Sequence, residues 1–158
     1  MAFASGRRIG GTAWNVWRAV IGVFYLAAAV FNLTYTLPRA AESDVFEGYA
    51  DGAWFGFLEN FVRDGLMPNA TLLMTAVIAF ELLVGWAILG AGQRVDLGVA
   101  FSLAWVVAIL PFLAWPYLLT NLALIIMQGV LLFRRFDKPI WTLLGDALGG
   151  DGRPHAIH

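Results

Sequence analysis

The stretch that decides the fold covers residues 68–98 and reads PNATLLMTAVIAFELLVGWAILGAGQRVDLG. Within it, residues 69–89 are almost entirely apolar and carry a single charged side chain, Glu81. An α-helix needs about 20 apolar residues to cross a bilayer. Pro68 and Asn69 are typical of a helix start, because proline fits the first turn and an asparagine side chain caps free N–H groups. The stretch therefore predicts a membrane-spanning helix with one carboxylate inside it.

The composition of the whole chain also indicates a lipid environment. Of its 158 residues, 60% are hydrophobic and 13% are charged, whereas a soluble domain is about 45–50% apolar and about 25% charged. The net charge of -1 gives no basic excess for binding nucleic acid. The absence of cysteine excludes disulfides, thiolate metal sites and iron–sulfur clusters. The two histidines, His155 and His158, lie at the C-terminus, which argues against a histidine-held haem in the membrane.

Three further spans are predicted on either side of the first. An apolar stretch begins at Trp14 and is expected to end at Pro38, because proline lacks the N–H that a helix needs. A continuous apolar run covers residues 97–133, which is too long for one ordinary span and predicts two helices joined by a turn at 115–117. The four predicted spans are residues 14–37, 69–89, 97–114 and 118–133.

Basic residues near the span ends predict the orientation, because cytoplasmic loops of membrane proteins are enriched in lysine and arginine. Six of them fall on one side of an up-down arrangement: Arg7, Arg8, Arg94, Arg134, Arg135 and Lys138. We predict an all-α, integral membrane four-helix up-down bundle in the bacterial cytoplasmic (inner) membrane, with both termini cytoplasmic. Residues 1–148 form this single transmembrane domain, and the polar, glycine-rich residues 149–158 are expected to be a disordered C-terminal tail.

The first extracytoplasmic loop, residues 38–68, is predicted to contain an amphipathic helix. At helical spacing, Trp54, Phe57 and Phe61 share one face of residues 53–67, with charged residues opposite. Such a helix lies flat in the membrane interface. The simpler interpretation is an interfacial anchor, and the alternative is a lid or a surface that docks a partner.

Arg18 and Glu81 are the two ionisable residues inside the predicted spans, and such residues are functional candidates because lipid makes them costly. Their predicted depths place them within side-chain reach, so we expect an Arg18–Glu81 pair. One interpretation is a polar pocket that binds a quinone head group or relays a proton, with Asn32 and Asn121 lining a cavity. In the other, structural interpretation, the Arg18 side chain extends to the membrane boundary and Glu81 only fixes the register between helices. The two asparagines then form hydrogen bonds that hold neighbouring helices together.

The segment around Glu81 resembles the DoxX-type small membrane proteins, which include membrane subunits attributed to thiosulfate:quinone oxidoreductases. The resemblance implies a four-helix bundle with cytoplasmic termini and an association with quinone-linked redox chemistry. The residues that carry it are Pro68, Asn69, Glu81, Leu82, Leu83, Gly85, Gly90 and Arg94.

Three functions remain open from the sequence. The first is a DoxX-like accessory subunit that docks a redox or other membrane partner and contributes a quinone pocket around Glu81. The second is a purely structural small subunit of a larger membrane complex, and the third is a small transporter or lipid-handling protein. No catalytic set or metal site is expected, and any redox cofactor other than a quinone must come from a partner subunit.

Overall fold

The computed structural model describes residues 8–9, 11–40 and 44–148, and these are mostly helical. The predicted tail, 149–158, lies outside the described residues. The α-helices are α1 (Thr12–Phe31), α2 (Leu37–Arg39), α3 (Glu47–Asp51), α4 (Gly56–Asn60), α5 (Ala70–Leu89), α6 (Gln93–Ile109), α7 (Tyr117–Leu131) and α8 (Ile140–Leu148). The strands are β1 (Arg8–Ile9) and β2 (Arg134–Arg135). Two π-helical segments, Asn32–Thr36 and Phe61–Leu66, and three 3-10 turns, Asp44–Phe46, Met67–Asn69 and Leu110–Phe112, complete the described helical structure.

Several of these pieces join into three helices that are long and apolar enough to cross a membrane. They cover Thr12–Arg39 (28 residues), Gly56–Leu89 (34 residues) and Gln93–Phe112 (20 residues). Helix α7 is apolar as well, but at 15 residues it is shorter than a typical span. The structure is thus that of a helical protein with several candidate membrane spans, as the composition predicts.

The long helices pack in chain order, α1 against α5, α5 against α6 and α6 against α7. Glycines set the closest approach: a Cβ atom on Gly85 would lie 2.9 Å from the carbonyl oxygen of Gly22. Gly98 of α6 meets Ile88 of α5 in the same way, at 3.0 Å. Small residues at such crossings let backbones come together, which favours helix association in lipid.

Two separate apolar clusters lie within this packing. One joins α1, the end of α5, the start of α6 and the end of α7, and it includes Ile88, Leu131 and Phe136. The other joins the end of α1 and the start of α5 to the 44–66 segment, with Val62 fully buried at its centre. The faces of the long helices that point away from these clusters are also apolar and stay exposed, as expected for surfaces that contact lipid.

The ends of the first two spans differ from the prediction. The first helix passes through Pro38 to Arg39, because a π turn precedes it and the proline then stands in the first turn of α2, where a missing N–H costs little. The second helix has no start at Pro68: the chain is helical from Gly56 onward, so the predicted interfacial helix and the span are continuous. Asn69 is not a side-chain cap and donates instead to the carbonyl oxygen of Gly65 at 3.1 Å.

The long apolar run does divide in two, as predicted, with the break at residues 113–116, where Trp115–Pro116 is a cis peptide bond. The connection between the second and third predicted spans, residues 90–96, is shorter in the structure. Gly92 adopts a φ of 60°, a conformation that glycine accepts readily, and α6 therefore begins at Gln93.

A small parallel bridge accompanies the helices, and the described chain is otherwise helical, as predicted. Arg8 pairs with Arg134 and Ile9 with Arg135, which brings the segment before α1 beside the segment after α7. Gly92 also donates its N–H to the carbonyl oxygen of Phe136 at 2.7 Å. The described N-terminal and C-terminal segments therefore lie at the same end of the helices.

Candidate functional site

A cavity of about 380 Å³ lies between the end of the first long helix, the 44–66 segment, α5 and α6. Pockets for small ligands have volumes of about 300–1,000 Å³. The cavity is therefore within the size range of small-ligand pockets, at its lower end. It is lined by Asn32, Thr36, Val45, Phe46, Tyr49, Phe61, Val62, Leu66, Met74, Val77, Glu81, Trp105, Ala108, Ile109 and Phe112.

The polar end of the cavity is a chain of three side chains that starts at Glu81. The Asn32 amide nitrogen donates to both carboxylate oxygens of Glu81, at 3.0 Å and 2.9 Å. The Thr36 hydroxyl in turn donates to the Asn32 amide oxygen at 2.9 Å. Both carboxylate oxygens of Glu81 therefore accept from the same amide nitrogen. Glu81 keeps 9% of its surface exposed, so it is nearly but not completely enclosed.

Both π-helical segments of the described chain border this cavity. A π turn closes i→i+5 hydrogen bonds and shifts the side chains after it by one position, and such turns are frequent at functional sites. In the first segment, the N–H of Leu37 donates to the carbonyl oxygen of Asn32 in this pattern. The lining residues that the two segments contribute are Asn32, Thr36, Phe61, Val62 and Leu66.

The rest of the lining is apolar or aromatic, and none of the described lining residues is a lysine, arginine or histidine. Tyr49 and Trp105 supply a hydroxyl and an indole N–H, and both side chains are partly exposed. Burial, together with the charge of Glu81, raises the pKa of Tyr49 above its ordinary value, so its hydroxyl is a donor at neutral pH. The cavity thus combines one acceptor-rich end with a wall of rings that reaches the surface.

A charged cluster borders the cavity on the loop side. The Arg63 guanidinium donates to Glu59 at 3.0 Å and to Asp51 at 2.8 Å, and Glu47 lies 4.0 Å away. Three carboxylates around one guanidinium leave an excess of negative charge. The cluster also ties α3 to the π segment that contributes Val62 to the cavity wall.

The predicted Arg18–Glu81 pair is wrong. Arg18 donates to the carbonyl oxygens of Gly90 at 2.8 Å and Lys138 at 2.9 Å, and to the Asn15 side chain at 3.1 Å. Gly90 follows the last turn of α5, and Glu81 lies roughly 13 Å further along that helix. Arg18 therefore lies at the Gly90 end of α5, and Glu81 pairs with Asn32 instead.

The other predicted site residues divide between the cavity and the surface. Asn32 and Phe61 line the cavity, as does Glu81, but Asn121 donates to the carbonyl oxygen of Tyr117 in its own helix and is not part of the lining. Phe57 is 69% exposed. Trp54 is 52% exposed, and its backbone and indole N–H groups donate to Pro111 and Leu113, which fastens the loop to the α6–α7 connection.

Sequence reasoning missed three polar lining residues, Thr36, Tyr49 and Trp105. Thr36 stands four residues after Asn32, which is a readable helical spacing, but the other two reach the cavity only through tertiary packing. It also missed a buried chain between helices, in which the Tyr25 hydroxyl lies 2.6 Å from that of Ser102, and Ser102 donates to Gln128. These contacts join α1, α6 and α7, and hydrogen bonds of this kind help to bury polar side chains between helices.

Comparisons with known proteins identify no relative of this chain: the sequence matches no protein-family model, and neither the curated proteins nor the solved structures gave a match. The proposals below therefore rest on the sequence and on the geometry of the cavity.

Proposed function

We propose that the chain is a DoxX-like accessory subunit of the bacterial cytoplasmic membrane, a four-helix bundle whose Glu81 cavity binds the head group of a quinone or quinol. In this proposal the bundle docks a redox partner that supplies any other cofactor. The observation that carries the proposal is the cavity itself, in which one carboxylate, held by Asn32, faces a wall of aromatic and aliphatic side chains.

The chemistry of the cavity supports a ring-shaped, largely apolar ligand. Phe46, Phe61 and Phe112 offer ring surfaces for contact, and Glu81 offers a polar anchor at one end. Pockets of this kind gain affinity from apolar contact and orientation from a few polar groups. The exposed aromatic side chains beside it, Trp54 and Phe57, suit a docking surface or the depth of the membrane interface.

The proposed orientation places both termini in the cytoplasm and the Glu81 cavity toward the outer surface. Arg134, Arg135 and Lys138 lie on the segment that follows α7, and Arg94 lies in the first turn of α6, beside the same end of the bundle. The acidic cluster around Arg63 belongs to the opposite end. The positive-inside rule supports this assignment.

The test is the quinone content of protein purified in mild detergent. Wild-type protein is expected to retain quinone after extraction, and Glu81→Gln and Asn32→Leu are expected to lose most of it. Asn121→Leu is the matched control, because Asn121 is a helix asparagine outside the cavity. Quinone at background level in the wild type, or equal content in all four proteins, contradicts the proposal.

One observation favours a second candidate, a small transporter or lipid-handling protein for cationic amphiphiles. The described lining carries a carboxylate and no basic side chain, and aromatic rings attract organic cations. In that case a lipophilic ammonium compound binds to the wild type and not to Glu81→Gln, while quinone does not bind. The third candidate is a purely structural subunit. It is indicated if the chain purifies in a stoichiometric larger complex, and if that complex keeps its full activity when the chain carries Glu81→Gln.

A further inference from the structure

Part of the cavity wall is closed by tight apolar packing. Phe46, Val62 and Met74 line the cavity, and they keep only 8%, 0% and 6% of their surfaces exposed. All three belong to the apolar cluster that joins the 44–66 segment to α1 and α5. Packed protein interiors contain few voids larger than a water molecule. A ligand therefore does not reach Glu81 through this cluster.

The exposed part of the lining lies on α6 and on the 44–66 segment. A side chain that both lines the cavity and is exposed stands at its opening. On α6, Trp105 and Ala108 meet both conditions, and they share one exposed face of the helix with Phe101 and Ala104, at spacings of three and four residues. The described lining residues that are exposed are Tyr49, Phe61, Trp105 and Ala108.

The α6 side of this opening lies at a depth where the surroundings are lipid. Trp105 and Ala108 belong to the candidate span Gln93–Phe112 and lie roughly 10 Å and roughly 6 Å from its Phe112 end, at a rise of about 1.5 Å per residue. The hydrocarbon layer of a bilayer is about 30 Å thick, which a helix of 20 residues just crosses. In the proposed membrane arrangement, the exposed surfaces of both side chains therefore contact lipid chains.

Resting on the proposed function, we propose that the Glu81 cavity opens sideways into the bilayer, between α6 and the 44–66 segment, and receives its ligand from the lipid phase. The ligand class is a membrane-dissolved amphiphile with a ring and a long apolar tail. The ring enters the cavity toward Glu81, and the tail leaves it past Trp105 and Ala108 and stays among the lipid chains.

The test compares the affinities of two quinones for the full-length protein in nanodiscs, the tail-less ubiquinone ring and the same ring with a ten-carbon tail. Bound quinone is measured as the excess over empty nanodiscs. Concentrations are expressed as mole fractions in the lipid, so that the stronger partitioning of the tailed form into the bilayer cancels. Wild-type protein is expected to bind the tailed form at least as tightly as the tail-less ring, because the tail stays in lipid whether the ring is free or bound.

A larger side chain at the opening is expected to affect the tail more than the ring. Ala108→Phe is expected to weaken binding of the tailed quinone at least fivefold more than binding of the tail-less ring, and Ala108→Leu is expected to show a smaller change in the same direction. Ala104→Phe is the matched control, because Ala104 is exposed one turn earlier on α6 and does not line the cavity. It is expected to keep both wild-type affinities, and thermal melting checks that each variant is folded.

The outcomes separate this inference from the proposed function. Wild-type protein that binds the tail-less ring and rejects the tailed form overturns the inference while leaving a ring-binding site in place. An equal loss of both ligands in folded Ala108→Phe protein also overturns it, because the new side chain then fills the cavity rather than its opening. The same holds if Ala108→Phe and Ala104→Phe bind both ligands alike. Absence of binding by either quinone overturns both the inference and the proposed function.

Discussion

Arg18 is a fully buried cation that is stabilised by neutral groups. Its guanidinium donates hydrogen bonds to two backbone carbonyl oxygens and to the Asn15 side chain, and it lies over the Phe136 ring at 4.5 Å. The carbonyl of Gly90 stands at the C-terminal end of α5, where the helix dipole is negative. Arg18 therefore joins α1 to the end of α5 and to the segment after α7.

We predict that Arg18→Met destabilises the protein and leaves the Glu81 cavity intact. The variant loses hydrogen bonds from a charged donor, each worth about 1.5–3 kcal/mol, and leaves the carbonyl groups of Gly90 and Lys138 without this donor. Thermal unfolding in detergent is expected to show a clear fall in Tm. Arg94→Met is the control, because Arg94 is exposed and only stacks on Trp86. Equal Tm values for the two variants would contradict this role of Arg18.

At the residue scale, the sequence predicted which polar residues belong to the candidate site better than it predicted which of them form hydrogen bonds with each other. The cost of a charge in lipid singled out Glu81, and Asn32 was on the same short list of polar side chains. The choice between Arg18 and Asn32 as the partner of Glu81 depends on how α1 and α5 are rotated and offset. The rotation and the offset of the two helices depend on the Gly22–Gly85 contact and on the π turn at Asn32–Thr36. The spacing of apolar residues in the sequence locates neither the contact nor the turn.

The contact between α1 and α5 is the element-scale feature that positions the site. Gly22 and Gly85 lie where the two backbones approach closely, and neither leaves room for a Cβ atom. Asn32 and Glu81 lie beyond this point along the same two helices and can meet only if the backbones stay close.

We predict that Gly85→Val lowers the Tm and weakens ligand binding together, because the added side chain must push α1 away from α5. Overpacking of this kind typically costs about 1–3 kcal/mol. Gly129→Ala is the control, since a Cβ at Gly129 of α7 meets nothing within 4 Å and alanine favours a helix. A Gly85→Val protein with unchanged Tm and unchanged binding would show that the close crossing is dispensable.

Helix spans were predictable and their internal irregularities were not. Twenty apolar residues between polar turns indicate an apolar helix whatever the tertiary structure, and α5 ends at Leu89 as predicted, although the continuous helix that contains it begins at Gly56. The π segments and the continuity through Pro68 depend on contacts between the 44–66 segment and the long helices. The Trp54 bonds to Pro111 and Leu113 are an example of such a contact.

For the whole molecule, the charge distribution predicts one orientation in the membrane. The described segments before α1 and after α7 lie side by side, and the basic residues of the second segment are at that end. The 44–66 segment and its acidic cluster belong to the other end.

Because the chain has no cysteine, single substitutions can test this orientation. Gly48→Cys in α3 and Gly145→Cys in α8 both introduce a side chain into open space. A membrane-impermeant maleimide is expected to label Gly48→Cys from outside intact cells, and Gly145→Cys only after permeabilisation. The reverse pattern, or labelling of both from outside, would contradict an extracytoplasmic cavity.

The measurement that tests the central claim most directly is the site of attachment of a photoreactive short-chain quinol. Peptide mapping after illumination is expected to find the label on the cavity wall, in residues 45–49, 61–66 or 105–112, and to lose it in Glu81→Gln. Asn121→Leu is expected to label as the wild type does. Labelling confined to the lipid-facing surfaces of α5 and α7, and unchanged in Glu81→Gln, would contradict the claim that this cavity is the ligand site.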